Sequence, residues 1–265
     1  MTSTTFVSVA PAADLHASIP NRVPKITADF WLIKLMAVTM GETAADYLNV
    51  NLGIGLTNTS LIMTAVLIGA LVLQFRQKRY VPWSYWLAVV LISVVGTLVT
   101  DNLVDNFGVP LMVTTVMFTI ALAVTFALWY AAEGTLSIHS IKTTRREAWY
   151  WLAILFTFAL GTAAGDLVAE KFGLGYLSTG VLFGLVIGSL TIGYYFIGLD
   201  SILGFWLAYI LTRPLGASFG DLLSQDKIYG GFGFGTVITS ALFLGAIIAI
   251  VAYMTFTHDG DEAAV

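Results

Sequence analysis

One spaced triplet occurs four times in this chain: a Trp, ten residues later a Gly, and five beyond that an Asp. The copies are Trp31, Gly41 and Asp46; Trp86, Gly96 and Asp101; Trp151, Gly161 and Asp166; and Trp206, Gly216 and Asp221. Repetition in an unslipped register means that one supersecondary unit has been copied and stacked. Any fold for the chain must place four equivalent units so that four acids occupy equivalent positions. The demand is severe because the units are apolar, and an ionisable group in hydrocarbon marks a site by default.

The surrounding sequence is too apolar for a water-soluble globule. Of 265 residues 58% are hydrophobic and 11% charged, with a mean hydropathy of +0.86. Stretches of about 20 apolar residues, the length that crosses a bilayer core as helix, occur eight times. They cover residues 29–49, 57–75, 83–105, 110–130, 148–171, 175–197, 200–223 and 234–256. Backbone in lipid must satisfy its own hydrogen bonds, so helix is the assignment even where Gly or the tripeptide Thr212, Arg213, Pro214 interrupts. The short alternating segments of a β-barrel are absent.

Successive tryptophans lie 55, 65 and 55 residues apart, as though a half of two repeats had been duplicated with an extra stretch, 131–147, between the halves. The repeats read as 26–79, 80–135, 146–198 and 199–256. Each holds two spans, so two crossings return the chain to its starting side and every repeat points the same way. The expected fold is an all-α membrane protein of eight transmembrane helices, four parallel two-helix repeats about an axis along the membrane normal, not an inverted duplication. Residues 1–25 are expected to form a mobile cytoplasmic tail without a signal peptide, and 257–265 an acidic one.

Placement of Lys and Arg orients the chain better than its net charge of −4. Arg22, Lys25, Arg76, Lys78, Arg79, Lys142, Arg145 and Arg146 fall on one side, against Lys171 and Lys227 on the other. Both termini are therefore expected to be cytoplasmic in a bacterial inner membrane. All seven tryptophans fall on the same side, where interfacial anchoring accounts for an indole without any substrate. Cysteine is absent, which excludes disulfides, thiolate ligands and iron–sulfur clusters. His16, His139 and His258 lie outside the spans, which excludes a bis-histidine haem.

Residues four apart share a helix face. Counting from each Trp, positions 3, 7, 11 and 15 form a stripe: Lys34, Val38, Glu42 and Asp46 in the first repeat, and Tyr209, Arg213, Ala217 and Asp221 in the fourth. The second contributes Ser93, Thr97 and Asp101, and the third Thr162 and Asp166. A mid-membrane charge costs at least about 2.5 to 3.5 kcal/mol, so the stripe should face the bundle interior or a hydrated cavity. The acids sit roughly 22 Å from the Trp end at 1.5 Å per residue.

Gathered together, the acids would hold a proton, a metal ion or a basic side chain. Arg213 and Lys34, each unique to one repeat, are the internal candidates for charge partners. Pro214 should kink the seventh helix, making it the candidate moving or broken element. Between spans, Gly53 with Gly55, Gly108 with Pro110, Gly173 with Gly175 and Gly233 with Gly235 mark either tight turns or a backbone-carbonyl ion site. Thr59, Thr114, Thr179 and Thr239 follow each first Gly by six residues.

At Gly41, Glu42, Thr43, Ala44, Ala45, Asp46, Tyr47, and at the four aligned tryptophans, the chain resembles a bacterial family of uncharacterised membrane-anchored proteins. That family is built of four tandem two-helix repeats, and the resemblance covers residues 26–256. It implies no substrate and no catalytic residue.

Three functions compete. The first is a transporter or channel for a cation, using Asp46, Asp101, Asp166, Asp221 and Glu42 with the hydroxyls of Thr97 and Thr162. Hard oxygen ligands favour H⁺, Na⁺, Mg²⁺, Mn²⁺ or Ca²⁺ over soft copper, with manganese or magnesium placed slightly ahead of protons. The four Asp are the candidate site for a bound divalent cation; no covalent cofactor is expected. The second is a lipid-modifying membrane enzyme, for which the sequence offers no His-based motif, no Gly-x-Ser-x-Gly and no phosphate-cradling loop. The third is a membrane scaffold or assembly protein in which Gly69, Gly184 and Gly188 admit a partner helix. The expected partners are membrane lipids, a small cation or proton and a second copy of the chain, not nucleic acid.

Overall fold

The computed structural model describes residues 20–263, and side chains as far as residue 256. Eight long helices are formed: α1 (Ala28–Asp46), α2 (Leu56–Arg76), α3 (Pro82–Asp101), α4 (Leu111–Glu133), α5 (Thr144–Asp166), α6 (Gly175–Ile192), α7 (Ser201–Ser224) and α8 (Gly235–Ala263). Local chemistry sets their starts. Thr27 and Thr143 cap α1 and α5 through the amides of Phe30 and Arg146, Pro82 opens α3, and Asp200 accepts from Ile202 and Leu203 at the head of α7. Before the even helices, Gly53, Gly55, Gly108, Gly173, Gly175, Gly233 and Gly235 all take positive φ. The glycine links are therefore turns, in a conformation that a Cβ would oppose.

The odd helices close a ring: α1 packs on α3, α3 on α5, α5 on α7, and α7 back on α1. Each even helix lies outside, against the odd helix that follows it: α2 on α3, α4 on α5, α6 on α7, and α8 on α1. The arrangement is thus cyclic, with four equivalent inner helices around one axis. The glycine of the triplet makes it possible. A Cβ on Gly96 would lie 2.7 Å from Phe158 Cβ, and one on Gly216 2.6 Å from Val38 Cγ1; Gly41 and Gly161 likewise abut Ser93 and Arg213. In every case the neighbour is position 7 of the next inner helix, so these glycines set the inter-helix approach.

Among the described residues seven helices are long and apolar enough to cross a membrane: α2, α4, α7 and α8, with α3, α5 and α6 in their extended forms. The exception is α1, which carries Lys34 and Glu42 as well as the terminal Asp29 and Asp46. Its charges are tolerated because the ring buries Lys34 and Glu42 to 1% and 7% exposure. The outer helices present leucine, isoleucine and valine outward, as on α6 at Leu177, Val181 and Leu185, which suits a hydrocarbon surround.

The tryptophans overturn one expectation. Trp86, Trp129, Trp151 and Trp206 are buried, and only Trp83 is substantially exposed, at 44%. The residue before each repeat tryptophan packs, ring tilted against ring, on the tryptophan of the next repeat: Phe30 on Trp86 (5.6 Å between centroids), Tyr85 on Trp151 (5.4 Å), Tyr150 on Trp206 (6.2 Å) and Phe205 on Trp31 (5.8 Å). A closed ring has an interior at its ends as well as its middle, so indoles that would anchor a lone helix at the interface instead cement neighbouring repeats. Two of the buried indoles donate to internal acceptors, Trp86 to Tyr80 Oη and Trp206 to the Leu136 carbonyl, whereas Trp129 Nε1 has no hydrogen-bond partner among the described residues.

Two further expectations change. α7 runs unbroken through Pro214, whose ring fits against Gly161 and Gly165 of α5. The N-terminal expectation applies only to residues outside the described ones, because residues from Asn21 are docked. Asn21 O accepts from Tyr80 N (3.0 Å), Arg22 N donates to Ile141 O (2.9 Å), Val23 is buried, and Arg22 pairs with the fully buried Glu147 (2.8 Å).

Candidate functional site

At the end of the ring opposite the tryptophans, Asp46, Asp101, Asp166 and Asp221 line one cavity of about 230 Å³. Each closes the polar stripe of its own inner helix and is half-buried. Glu42 reaches the cavity from below, while Asp105, Glu170 and Gln225 join at its rim and Tyr176 enters from α6. Directly after three of the acids the helix widens into a π-turn: Tyr47–Asn51, Asn102–Asn106 and Leu167–Lys171. Such turns tend to occur at functional sites. Here they bring consecutive residues, Asn49 with Val50 and Val104 with Asp105, onto the cavity. The fourth repeat has no such turn. Its longer link folds back so that the amides of Phe232 and Phe234 cap the Leu222 and Leu223 carbonyls of α7 (2.6 and 3.0 Å).

The carboxylates are not consumed by internal pairing. Asp46 receives a long contact from Gln225 Nε2 (3.4 Å); Asp101, Asp166 and Asp221 receive no side-chain hydrogen bond or ion pair among the described residues. Both basic candidates lie deeper. Arg213 Nη2 donates to Glu42 Oε2 (2.6 Å) and to Thr97 Oγ1, and Thr97 in turn donates to Glu42 (3.2 Å). Of this trio only Glu42 lines the cavity. Lys34 sits further toward the tryptophans, with Nζ on the Tyr209 carbonyl (2.8 Å), on Thr212 Oγ1 and over the Tyr209 ring (3.9 Å to its centroid). It pairs with no carboxylate among the described residues, so it is not a partner of the acids.

Thr162, expected to serve the site, turns back to its own helix and donates to the Phe158 carbonyl (3.1 Å). A buried threonine on a helix meets its i−4 carbonyl more readily than a distant ligand. Nor are Asp46, Asp101, Asp166 and Asp221 placed as a metal cage: among the described residues no three Asp, Glu or His side chains could hold one ion. Each acid stands on a different inner helix, and packed helices are about 8–10 Å apart, too far for direct ligation from all sides at once.

Asp105 and Glu170 were not singled out from the sequence, though the signal was present. Extending the stripe one more turn, to position 19 after each Trp, reaches Val50, Asp105, Glu170 and Gln225, all of which line the cavity.

A family model described as "Repeat of Unknown Function (DUF347)" matches the chain four times, over residues 30–80, 84–135, 149–198 and 204–259. The chain belongs to this family. Each DUF347 stretch here holds one inner helix with its acid and the outer helix that follows. Four DUF347 copies are what close the ring, because the outer helix of each copy packs on the inner helix of the next. No curated protein and no solved structure matches the chain.

Proposed function

We propose that this protein is a transporter or channel that takes up a small cation in the axial acidic cavity. The observation that carries the proposal is the set of four aspartates, one per repeat, lining a single cavity with three of them free of any protein partner among the described residues. A buried charge network serving only as structure would be paired internally; these carboxylates face the cavity instead. The wide spacing of the acids favours a hydrated ion or a proton over a dehydrated metal, since direct ligation needs several oxygens within about 2.0–2.6 Å.

The strong excess of Lys and Arg at the tryptophan end makes that end cytoplasmic, with the acidic cavity facing the opposite side of a bacterial inner membrane. The scaffold alternative is weaker for the reason just given, and the open surroundings of Gly69 and Gly188 are equally suited to lipid. The enzyme alternative has its support in the cavity carboxylates alone, which could activate a water; no His or Ser lines the cavity beside them.

Binding is tested on detergent-purified protein by thermal unfolding across Na⁺, Mg²⁺, Mn²⁺ and Ca²⁺ and across pH. A cation that binds only the folded state at 100 times its Kd adds about 2.7 kcal/mol. Stabilisation by at least one condition, lost on Asp101→Asn with Asp166→Asn, is expected. Identical curves for the native protein under every condition would remove the proposal.

A further inference from the structure

We infer that the charge able to pass between the acidic cavity and the tryptophan end is a proton and not a metal ion. This names the cation of the site proposed above and rests on that proposal.

Below Glu42 the stripe has two more layers. Position 7 supplies Val38, Ser93, Phe158 and Arg213; position 3 supplies Lys34, Val89, Ile154 and Tyr209. All eight are buried, none more than 1% exposed. These layers carry one permanent cation, Arg213, and the amine of Lys34, while the nearest carboxylate of the stripe, Glu42, stands in the layer above and is engaged by Arg213. A metal ion descending from the cavity would have to shed its water beside the Arg213 guanidinium, in a section whose walls are mostly valine, isoleucine and aromatic rings. Hard cations need an oxygen shell of about six ligands, and neither layer provides one.

A proton needs only a succession of oxygen and nitrogen atoms, and those are present. Ser93 Oγ, Arg213 Nε and Nη1, and Tyr209 Oη are buried without a hydrogen-bond partner among the described residues, and all belong to these two layers, the lower of which also holds Lys34. Buried polar groups in this condition are normally met by ordered water, which would bridge the gap. Arg213 keeps its proton, but Lys34 is an amine that can release one and take up another. Its place beyond Arg213, held by a carbonyl and a hydroxyl with no carboxylate to fix its charge, suits that role.

On the tryptophan side of Lys34 stand further polar groups. The hydroxyls of Tyr85 and Tyr150 are 2.5 Å apart, and Glu147 lies one turn before Tyr150 on α5. Glu147 holds Arg22 at the tryptophan end. Along such a path each new O–H or N–H bond forms as the one behind it breaks, and only the proton's charge is moved.

The test reconstitutes the full chain in liposomes with either a pH dye or a Mn²⁺-sensitive dye inside, under an imposed voltage. The native protein should move protons at least tenfold faster than empty liposomes, with no Mn²⁺ entry. Lys34→Arg and Lys34→Met should each lower proton flux tenfold or more while thermal stabilisation by cavity cations persists. Mn²⁺ entry without proton flux, or proton flux unchanged in both variants, would overturn the inference while leaving the cation proposal intact. No flux of either ion and no cation-dependent stabilisation would end both. Should the Lys34 variants fail to fold, the comparison of the two dyes on the native protein still decides.

Discussion

Arg213 Nη2 lies 2.6 Å from Glu42 Oε2, and this pair ties the last inner helix to the first. Thr97 of α3 shares both partners, so three of the four inner helices meet at one buried ion pair. Breaking a buried pair strands a charge, at a cost of about 3–5 kcal/mol, whereas replacing both partners by apolar groups costs much less. Arg213→Met and Glu42→Leu should each lower unfolding stability by that amount, and the double variant by less than either. Denaturant or thermal unfolding in detergent measures the cycle, and additive losses would mean that the pair does not act as a unit.

Ring closure depends on the triplet glycines. A Cβ at Gly96 would meet Phe158 Cβ at 2.7 Å, while one at Gly69 on α2 meets nothing within 4 Å. Gly96→Ala is expected to destabilise by about 1–3 kcal/mol through overpacking, and Gly69→Ala to change stability by about 0.5 kcal/mol or less. Equal effects in the same unfolding assay would deny the close approach of α3 and α5.

The buried tryptophans give a contrast within one residue type. Trp206 is 3% exposed and contacts Phe126, Trp129, Tyr150, Phe205 and Tyr209. Trp206→Ala should cost about 3–5 kcal/mol. Trp83→Ala, at an exposed position, should cost about 1 kcal/mol or less. Quenching by a lipid-soluble reagent provides a second measure, reaching Trp83 before Trp206.

Docking of the N-terminal segment rests on Glu147, which accepts from Arg22 (2.8 Å), Gln74 (2.9 Å) and Trp151 (3.4 Å) with no exposure of its own. Hydrogen bonds to a charged group contribute about 1.5–3 kcal/mol, so Glu147→Ala should speed tryptic cleavage at Arg22 and Lys25 about tenfold or more. Unchanged cleavage would show that the segment is held by its backbone contacts and Val23 alone.

Much of this was legible in the sequence because it depends on spacing. Eight helices, their order and the convergence of Asp46, Asp101, Asp166 and Asp221 follow from apolar length and from the four-residue stripe. Relations between repeats were harder to read. Nothing local to Trp86 or Trp206 tells an interfacial indole from one buried against the preceding repeat's aromatic residue; closure of the ring decides that. Thr162 and Thr97 look alike on their stripes, yet only Thr97 has Glu42 and Arg213 opposite it. Lys34 was read as a partner for acids because a buried cation usually has one, whereas a carbonyl, a hydroxyl and an aromatic face hold it here. The π-turns leave no compositional mark: three follow an acid, but a fourth, Gly193–Ile197, follows Ile192, and Asp221 is followed by none.

Cation flux through the acidic cavity is measured most directly by comparing native liposomes with those carrying Asp101→Asn and Asp166→Asn, at matched protein content and confirmed folding. Removing two of the four aspartates is expected to lower the flux at least tenfold, equivalent to about 1.4 kcal/mol on the barrier. Flux equal to that of the native protein would place the pathway elsewhere in the molecule and contradict a role for the cavity.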